Sequence, residues 1–337
     1  MSPLPLLDRA ELFALVDEAR RAPSVHNIQP ARWAASEPGM LTLRADPART
    51  LPIADPSGHD VWMSLGAAWE GMAIALSRRG MVAGPATAHA DRAAPAEMRC
   101  SIHRGGTVDA LAPVVSRRAT FRGTFGVSPA SSLDALERRL APLEVTVVRD
   151  HQLIHELAAL ADEASDEFLA NPHYWSETWK WLRLSPSHPD WARDGLNADA
   201  LALSPIERMA GRWLMAPAAF EGMRRLGLAR ALVSERAKTS SAGALLLFTA
   251  PVKQVPFITG RAFYRCWLEV TAAGLALCPM SVLADSKRAS ARIRSLFSIR
   301  ESLRIVNVLR TGVAPEGFPV RLTPRLPVEE LIVPAIT

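Results

Sequence analysis

The sequence predicts an α+β protein built from two related halves, and three observations carry that expectation. Segments with helical apolar spacing are interspersed with short runs that read as strands. Two segments rich in small residues, 66–82 (GAAWEGMAIALSRRGMV) and 260–275 (GRAFYRCWLEVTAAGL), share one skeleton. Each has a leading glycine, a tryptophan-centred turn, an apolar face and a closing glycine, which suggests duplication. At 337 residues the chain also exceeds what one hydrophobic core usually fills. The expected halves are 1–110 and 111–337, the second containing an insertion at about 171–230.

Residues 8–21 carry Leu12, Leu15, Val16 and Ala19 at helical spacing, with Asp8 as the cap and an end before Pro23. A polar, proline-bounded loop follows, Ala22-Pro23-Ser24-Val25-His26-Asn27-Ile28-Gln29-Pro30. Residues 31–34 and 41–45 read as short strands, 55–58 as a turn and 61–80 as a buried helix. In the second half, 131–141 and 150–170 are helical by periodicity. The continuous apolar run 243–250 (GALLLFTA) reads as a buried strand, 260–275 as a helix, 304–312 as a strand and 318–332 as a proline-rich arm. The stretch 171–230 breaks into short helices and loops and holds Trp175, Trp179, Trp181 and Trp191, four of the nine tryptophans. That composition suits a lid better than core sheet.

Hydrophobic residues make up 49% and charged residues 22%, the balance of a globular protein. No apolar run reaches the length of a membrane span, and MSPLPLLDRAELFALVDEARR does not read as a signal peptide. Cys100, Cys266 and Cys278 form no CxxC pair, so neither a disulfide framework nor a bound metal is expected, and a cytoplasmic location is. The net charge of +5 comes from arginines spread along the chain, without a motif that reads DNA. The expected partner is a small, partly anionic molecule, not nucleic acid or a membrane.

Three segments carry chemistry. The loop at 22–30 offers Ser24, Asn27 and Gln29 between rigid prolines, either as an ordinary post-helix loop or as a hydrogen-bonding edge for a planar heteroaromatic ring. The run Arg117-Arg118-Ala119-Thr120-Phe121-Arg122 is either a solvated basic turn or a phosphate clamp, because guanidinium groups match phosphate oxygens with paired donors. Arg321 and Arg325, in RLTPR, have the same two readings.

Taken together, these segments resemble the nitroreductase superfamily. RRAPSVHNIQPARW is similar to its flavin-contacting A-P-S-x-x-N-x-Q-P-W signature, RRATFRGTF to its R-R-x-T-x-R phosphate element, and GFPVRLTPRLPVEELI to its C-terminal arm. The order of the elements resembles the fused, pseudo-dimeric Acg-like branch. ADPARTLPIADPSGHDVWMSLGAA and the DGL segment at 194–196 extend the likeness over most of the chain. Here Ala31 follows Gln29-Pro30 where the signature has tryptophan. Met280 and Ser281 stand where short relatives often carry an acid.

The resemblance implies a nitroreductase-like fold of two halves, each a mainly antiparallel sheet flanked by helices, with FMN as cofactor and NAD(P)H as a candidate electron donor. It implies that Pro23, Ser24, Val25 and Asn27 border the isoalloxazine and that Arg117, Arg118 and Thr120 hold the phosphate. Arg321 and Arg325 would join the phosphate from the C-terminal arm, and Pro279, Met280 and Ser281 would lie near flavin N5. It assigns no catalytic side chain; His26 is the one ionisable side chain in the flavin loop. The implied activity is hydride transfer between flavin N5 and a small planar or electron-poor substrate such as a nitroaromatic or quinone. Two alternatives stay open, a flavin-storage protein whose lid covers the ring and an oxidase or dehydrogenase tailoring a natural product. Duplication would let a monomer form a complete site, without barring a dimer.

Overall fold

The computed structural model describes residues 7–35, 37–89, 97–317 and 323–334. Helix α1 (Arg9–Ala19) starts at Asp8, whose side chain accepts from Glu11 N while the Glu11 side chain accepts from Asp8 N, a reciprocal cap. It buries Leu12, Leu15, Val16 and Ala19, the stripe its spacing predicts. Strands β1 (Ala31–Ala34) and β2 (Met40–Ala45) pair antiparallel, and helix α2 (His59–Ser77) follows them. Strands β3 (Met81–Ala83), β4 (Thr87–His89) and β5 (Glu97–Arg104) complete this sheet. Its order is β1–β2–β5–β3, with β4 also on β5, and each of these pairings is antiparallel.

After a 3₁₀ turn at Ala112–Arg117 come α3 (Ala130–Leu140), β6 (Val145–Val148) and α4 (His151–Leu169). The insertion contributes α5 (Pro172–Trp179), a short parallel pair β7 (Leu182–Arg183) and β8 (Leu196–Asn197), α6 (Pro205–Leu214), α7 (Pro217–Arg225) and α8 (Ala229–Val233). Helix α9 (Arg236–Ser240) leads into β9 (Ala244–Pro251), α10 (Pro256–Ala272), β10 (Ala276–Pro279), α11 (Val282–Asp285), α12 (Lys287–Leu296), β11 (Leu303–Gly312) and α13 (Val328–Leu331). The second sheet, β10–β11–β9–β6, is also antiparallel throughout. Strand β9 is buried from Ala244 to Ala250, as expected of a continuous apolar run.

The two small-residue helices, α2 and α10, pack directly on each other. A Cβ on Gly66 would stand 1.9 Å from Phe257 O, and one on Gly260 would stand 1.9 Å from Met63 O. Each glycine therefore admits the backbone of the other helix. Glu70, buried on α2, receives Arg261 at 2.7 Å and Arg265 at 2.8 Å from α10, so a desolvated carboxylate is matched by two guanidinium groups. The C-terminal arm returns to the first sheet. Leu326, Val328 and Leu331 join the core of α1 and α2, and Val333 N donates to Trp33 O at 2.8 Å. Among the described residues no helix is long and apolar enough to cross a membrane.

Candidate functional site

The loop after α1 is held in a conformation that L-residues seldom adopt. His26, Asn27 and Gln29 have φ of 44°, 56° and 52°. Hydrogen bonds from several directions enforce it. Ser24 Oγ accepts from Gln29 N at 3.0 Å, and Val25 N donates to Ser64 Oγ on α2 at 3.1 Å. Asn27 Nδ2 donates to Gly195 O in the insertion and to Pro324 O in the C-terminal arm, both at 3.0 Å. Gln29 Nε2 donates to Arg193 O, while its Oε1 accepts from Leu326 N. Backbone strain of this kind persists where surroundings over-determine it, often beside a ligand. The amides of Asn27 and Gln29 are thus spent on tying three segments together, which leaves Ser24 and His26 to offer polar groups. His26 Nδ1 has no protein partner, and its imidazole is held down to about 4, first by burial and then by Arg122.

Arg117 ends the 3₁₀ turn, and from Arg118 the run follows the edge of β10 in extended form, with Phe121 N donating to Leu277 O at 3.0 Å. An extended chain sends alternate side chains to opposite sides. Arg118, Thr120 and Arg122 line one cavity, whereas Arg117 and Ala119 face a separate depression beside Thr271 and Gly274. Arg117 donates instead to Thr271 O at 3.3 Å.

Arg118 and Arg325 meet above the end of α1. Arg325 donates from Nε to Arg20 O at 2.6 Å, from Nη1 to Asn27 Oδ1 at 2.8 Å and from Nη2 to Arg21 O at 3.2 Å. It thereby satisfies carbonyls that a helix end leaves open. Arg118 is buried, stacks over the Trp267 ring with its centre 4.9 Å from the centroid, and donates to Arg21 O at 3.1 Å. Its Nη1 has no partner. No carboxylate pairs with either guanidinium among the described residues. Arg325 is pulled down to about 9 by burial and then by neighbouring Arg118; Arg118 is lowered chiefly by burial. Two largely enclosed cations without an acid amount to a site prepared for an anion.

The cavity has a volume of about 250 Å³ and lies between the two helical segments and the loop. Asp60, Met63, Ser64 and Ala67 present one face of α2, and Phe263 and Trp267 one face of α10. A bulge in β11 between Ile305 and Asn307 brings both Val306 and Asn307 to the wall, against strict alternation. Pro279, Ser281 and Asp285 close another side. Asp60 is pushed up to about 7, by burial first, then by Asp285 and Asp55. Asp285, at the cavity rim, is pushed up to about 6, first by the desolvation of its carboxyl and then by Asp55, against a hydrogen bond from Ser281.

Of the residues singled out from sequence, the structure brings Pro23, Ser24, Val25, Asn27, Arg118, Thr120, Pro279, Ser281 and Arg325 to this one cavity. Arg117 stands apart, and Met280 turns its sulfur to Thr239 Oγ1 at 3.4 Å while its N donates to Val308 O. Arg321 lies outside the described residues. Asp60, Asp285 and Asn307 are cavity residues without a signal in the sequence, and Arg122, part of the candidate clamp, was not among the residues implied to hold the phosphate. For Arg122 the period-two alternation was the available signal. The insertion's tryptophans do not line the cavity. Trp175 stacks on Phe220 at 4.1 Å in the insertion's own core, and Trp181 lies beneath Arg49 and Arg183. Leu196 is the insertion's residue at the cavity.

No protein-family model matches the chain. A Mycobacterium tuberculosis H37Rv protein named "Putative NAD(P)H nitroreductase Rv3131" is 26% identical to it, covering 93% of this chain and 88% of its own length. The chain is similar to a nitroreductase-named protein along nearly its whole length. From the same organism, an uncharacterized protein, Rv3127, is 28% identical over 93% of this chain and 90% of its own length. Among solved structures, the FMN-dependent nitroreductase NfnB from Mycobacterium smegmatis, in complex with NADPH, aligns at 17% identity. It covers 64% of this chain and 94% of its own, with a TM-score of 0.38. A Bacteroides fragilis nitroreductase with bound FMN aligns at 15% identity over 62% and 91%, with a TM-score of 0.36.

Proposed function

We propose that this protein is an FMN-dependent oxidoreductase of the nitroreductase type, its site formed where two halves, 1–110 and 111–337, meet. The observation that carries this reading is the enclosed pair Arg118 and Arg325, which among the described residues has no carboxylate partner and leaves Arg118 Nη1 unpartnered beside a cavity. A terminal phosphate fits that donor set. Arg118, Arg122 and Thr120 would hold it from the extended segment, and Arg325 from the C-terminal arm. Pro23, Ser24 and Val25 would border the ring on one side and Pro279 and Ser281 on another, while Asn27 would set the shape of the loop. Met280 would contribute backbone alone. Arg117, at the end of the 3₁₀ turn, faces the separate depression beside Thr271, so phosphate binding is reassigned from Arg117 to Arg122.

When bound, FMN supplies two-electron chemistry from its ring system. The chain's own part is to anchor the phosphate, fix the ring's edge with Ser24 and the strained loop, and exclude water with Trp267, Phe263 and Leu196. A small planar acceptor, nitroaromatic or quinone, is the substrate class that such a ring would reduce. The α2–α10 contact lies within one chain, so a monomer would hold a complete site of this kind.

A second reading, flavin storage, draws on the insertion. Gly195 N donates to Asn27 O at 3.2 Å and Asn27 Nδ2 returns to Gly195 O, a clasp that would hold the cover down. One experiment separates the two. The purified protein is scanned for flavin absorbance, then mixed anaerobically with NADPH and with NADH. Bleaching within seconds supports the oxidoreductase. Flavin that only dithionite bleaches supports storage, and failure to take up FMN overturns both.

A further inference from the structure

We propose that Asp60 is the proton donor to the acceptor reduced in this cavity, and that Asp285 is the positioning residue that keeps Asp60 protonated. This rests on the oxidoreductase reading and adds a role for a side chain to it.

Asp60 occupies the first turn of α2, where an acid commonly serves the helix. That task is already taken. Asp55 Oδ2 accepts from Asp60 N at 2.9 Å and from Val61 N at 3.0 Å, so the open amides of α2 are satisfied by another carboxylate. The Asp60 carboxyl itself has no hydrogen bond or ion pair among the described residues and stands in the cavity wall one helical turn from Met63 and Ser64. Asp285 reaches the same wall from the end of α11, in the other half of the chain. Neither acid forms an ion pair with Arg118, Arg122 or Arg325. The cavity therefore has a cationic region, with the unpartnered Arg118 Nη1 calling for an anionic ligand, and a separate acidic region.

The groups facing Asp60 decide its protonation. From the turn before its helix comes Asp55; from α11, Asp285; from β11, Arg304, which holds His59; from α5, Tyr174, beside Glu177. Arg304 is the one cation that opposes the acids, and it is engaged elsewhere, 2.8 Å from His59 Nε2 and 3.0 Å from Thr259 Oγ1. Asp285 and Asp55 disfavour a second negative charge, and burial acts in the same direction. Tyr174 is itself pushed up to about 12, by burial first and then by Asp285, Asp60 and Glu177, so it does not compete as the donor. An acid poised near neutral pH is the useful kind for proton transfer.

For a quinone the step balances as follows. A hydride from a donor of the dihydroflavin class brings two electrons and one proton to the acceptor, and the Asp60 carboxyl brings the second proton. The quinone is reduced to a hydroquinone, the donor is oxidised, and Asp60 is left as a carboxylate that recovers a proton from water at the rim. Acceptors that take electrons without protons do not need Asp60.

The test uses holoprotein reduced anaerobically and then mixed with benzoquinone or with ferricyanide, which accepts electrons alone. Wild type should slow toward benzoquinone as pH rises through about 7. D60N should lower the benzoquinone-to-ferricyanide rate ratio at least tenfold and flatten that pH profile, with D60E restoring both. D285N should move the fall to lower pH. In flavin-free protein, infrared titration should show a carboxyl C=O band that is lost near pH 7 and is missing in D60N. A D60N ratio within twofold of wild type with an unchanged profile overturns the proposal, as does a carboxyl band lost entirely below pH 5. A wild-type protein that binds no flavin defeats the oxidoreductase reading instead, which separates the two failures.

Discussion

Gly66 and Gly260 stand in reciprocal relation. Each is the point at which one helix admits a carbonyl of the other, Phe257 O against Gly66 and Met63 O against Gly260. The cavity lies along this contact, since Met63 and Ala67 on α2 and Phe263 on α10 line it. A methyl group at either glycine meets backbone, which cannot rotate aside as a side chain can.

G66A and G260A should therefore each destabilise the fold by about 1–3 kcal/mol or more through overpacking. Urea unfolding measures it, and midpoints equal to wild type would refute the contact. G80A serves as a control for the backbone effect, because Gly80 has φ of 66° but an added Cβ there meets nothing within 4 Å.

The turn at Arg117 and the alternation along 118–122 give a second expected outcome. R118A should weaken FMN binding about 10- to 100-fold, the equivalent of one charge-assisted contact of about 1.5–3 kcal/mol. R117A should bind nearly as wild type. Titration of flavin-free protein with FMN checks both, and the reverse ranking would place the phosphate in the depression beside Thr271.

Asp60 makes a prediction that needs no cofactor. Its folded pKa, about 7, lies above the ordinary value of 3.8, so the folded state pays for ionising it. That penalty is fully present above pH 7 and disappears as pH falls toward 4. D60N should thus stabilise the protein at pH 8 by about 1–3 kcal/mol, a figure reduced from the full linkage value because the side chain is partly open to the cavity. Near pH 4 the gain should vanish. Equal gains at both pH values would mean that Asp60 is not held protonated.

His26 acts in the opposite sense. Its folded value of about 4 lies below the ordinary 6.5, so its contribution is complete above pH 6.5 and is lost as pH falls toward 4. The wild-type protein sums this loss with the gain from Asp60, so the comparison with H26Q isolates it. H26Q should lose less stability than wild type between pH 7 and 4.5, by on the order of 1–2 kcal/mol. Parallel pH curves would contradict the buried, neutral imidazole.

Much of the fold was legible because periodicity and caps agree with packing. The stripe of α1, the run of β9 and the small-residue faces of α2 and α10 all sit where their spacing places them. Strand β5 was not anticipated, although Met98, Cys100 and Ile102 alternate as a half-buried strand should. The cavity lining was legible where it depends on local chain, as at Pro23–Asn27 and Arg118–Thr120. It was not legible where tertiary contact decides. Asp60 looks like any acid in a first helical turn until Asp55 is found serving that end. Asn307 reaches the wall because a bulge breaks the period. Trp175 and Trp181 announce themselves by composition, yet their rings are consumed by Phe220, Arg49 and Arg183.

The return of the C-terminal arm imposes an order in time. Arg325 closes over the carbonyls of Arg20 and Arg21, and Val333 hydrogen-bonds to Trp33, more than three hundred positions upstream of Arg325 and exactly 300 upstream of Val333 respectively. Arg325 thus joins the cavity late in synthesis, and a chain interrupted before it would keep Arg118 and Arg122 at the wall but lack the third guanidinium that the proposed phosphate site uses.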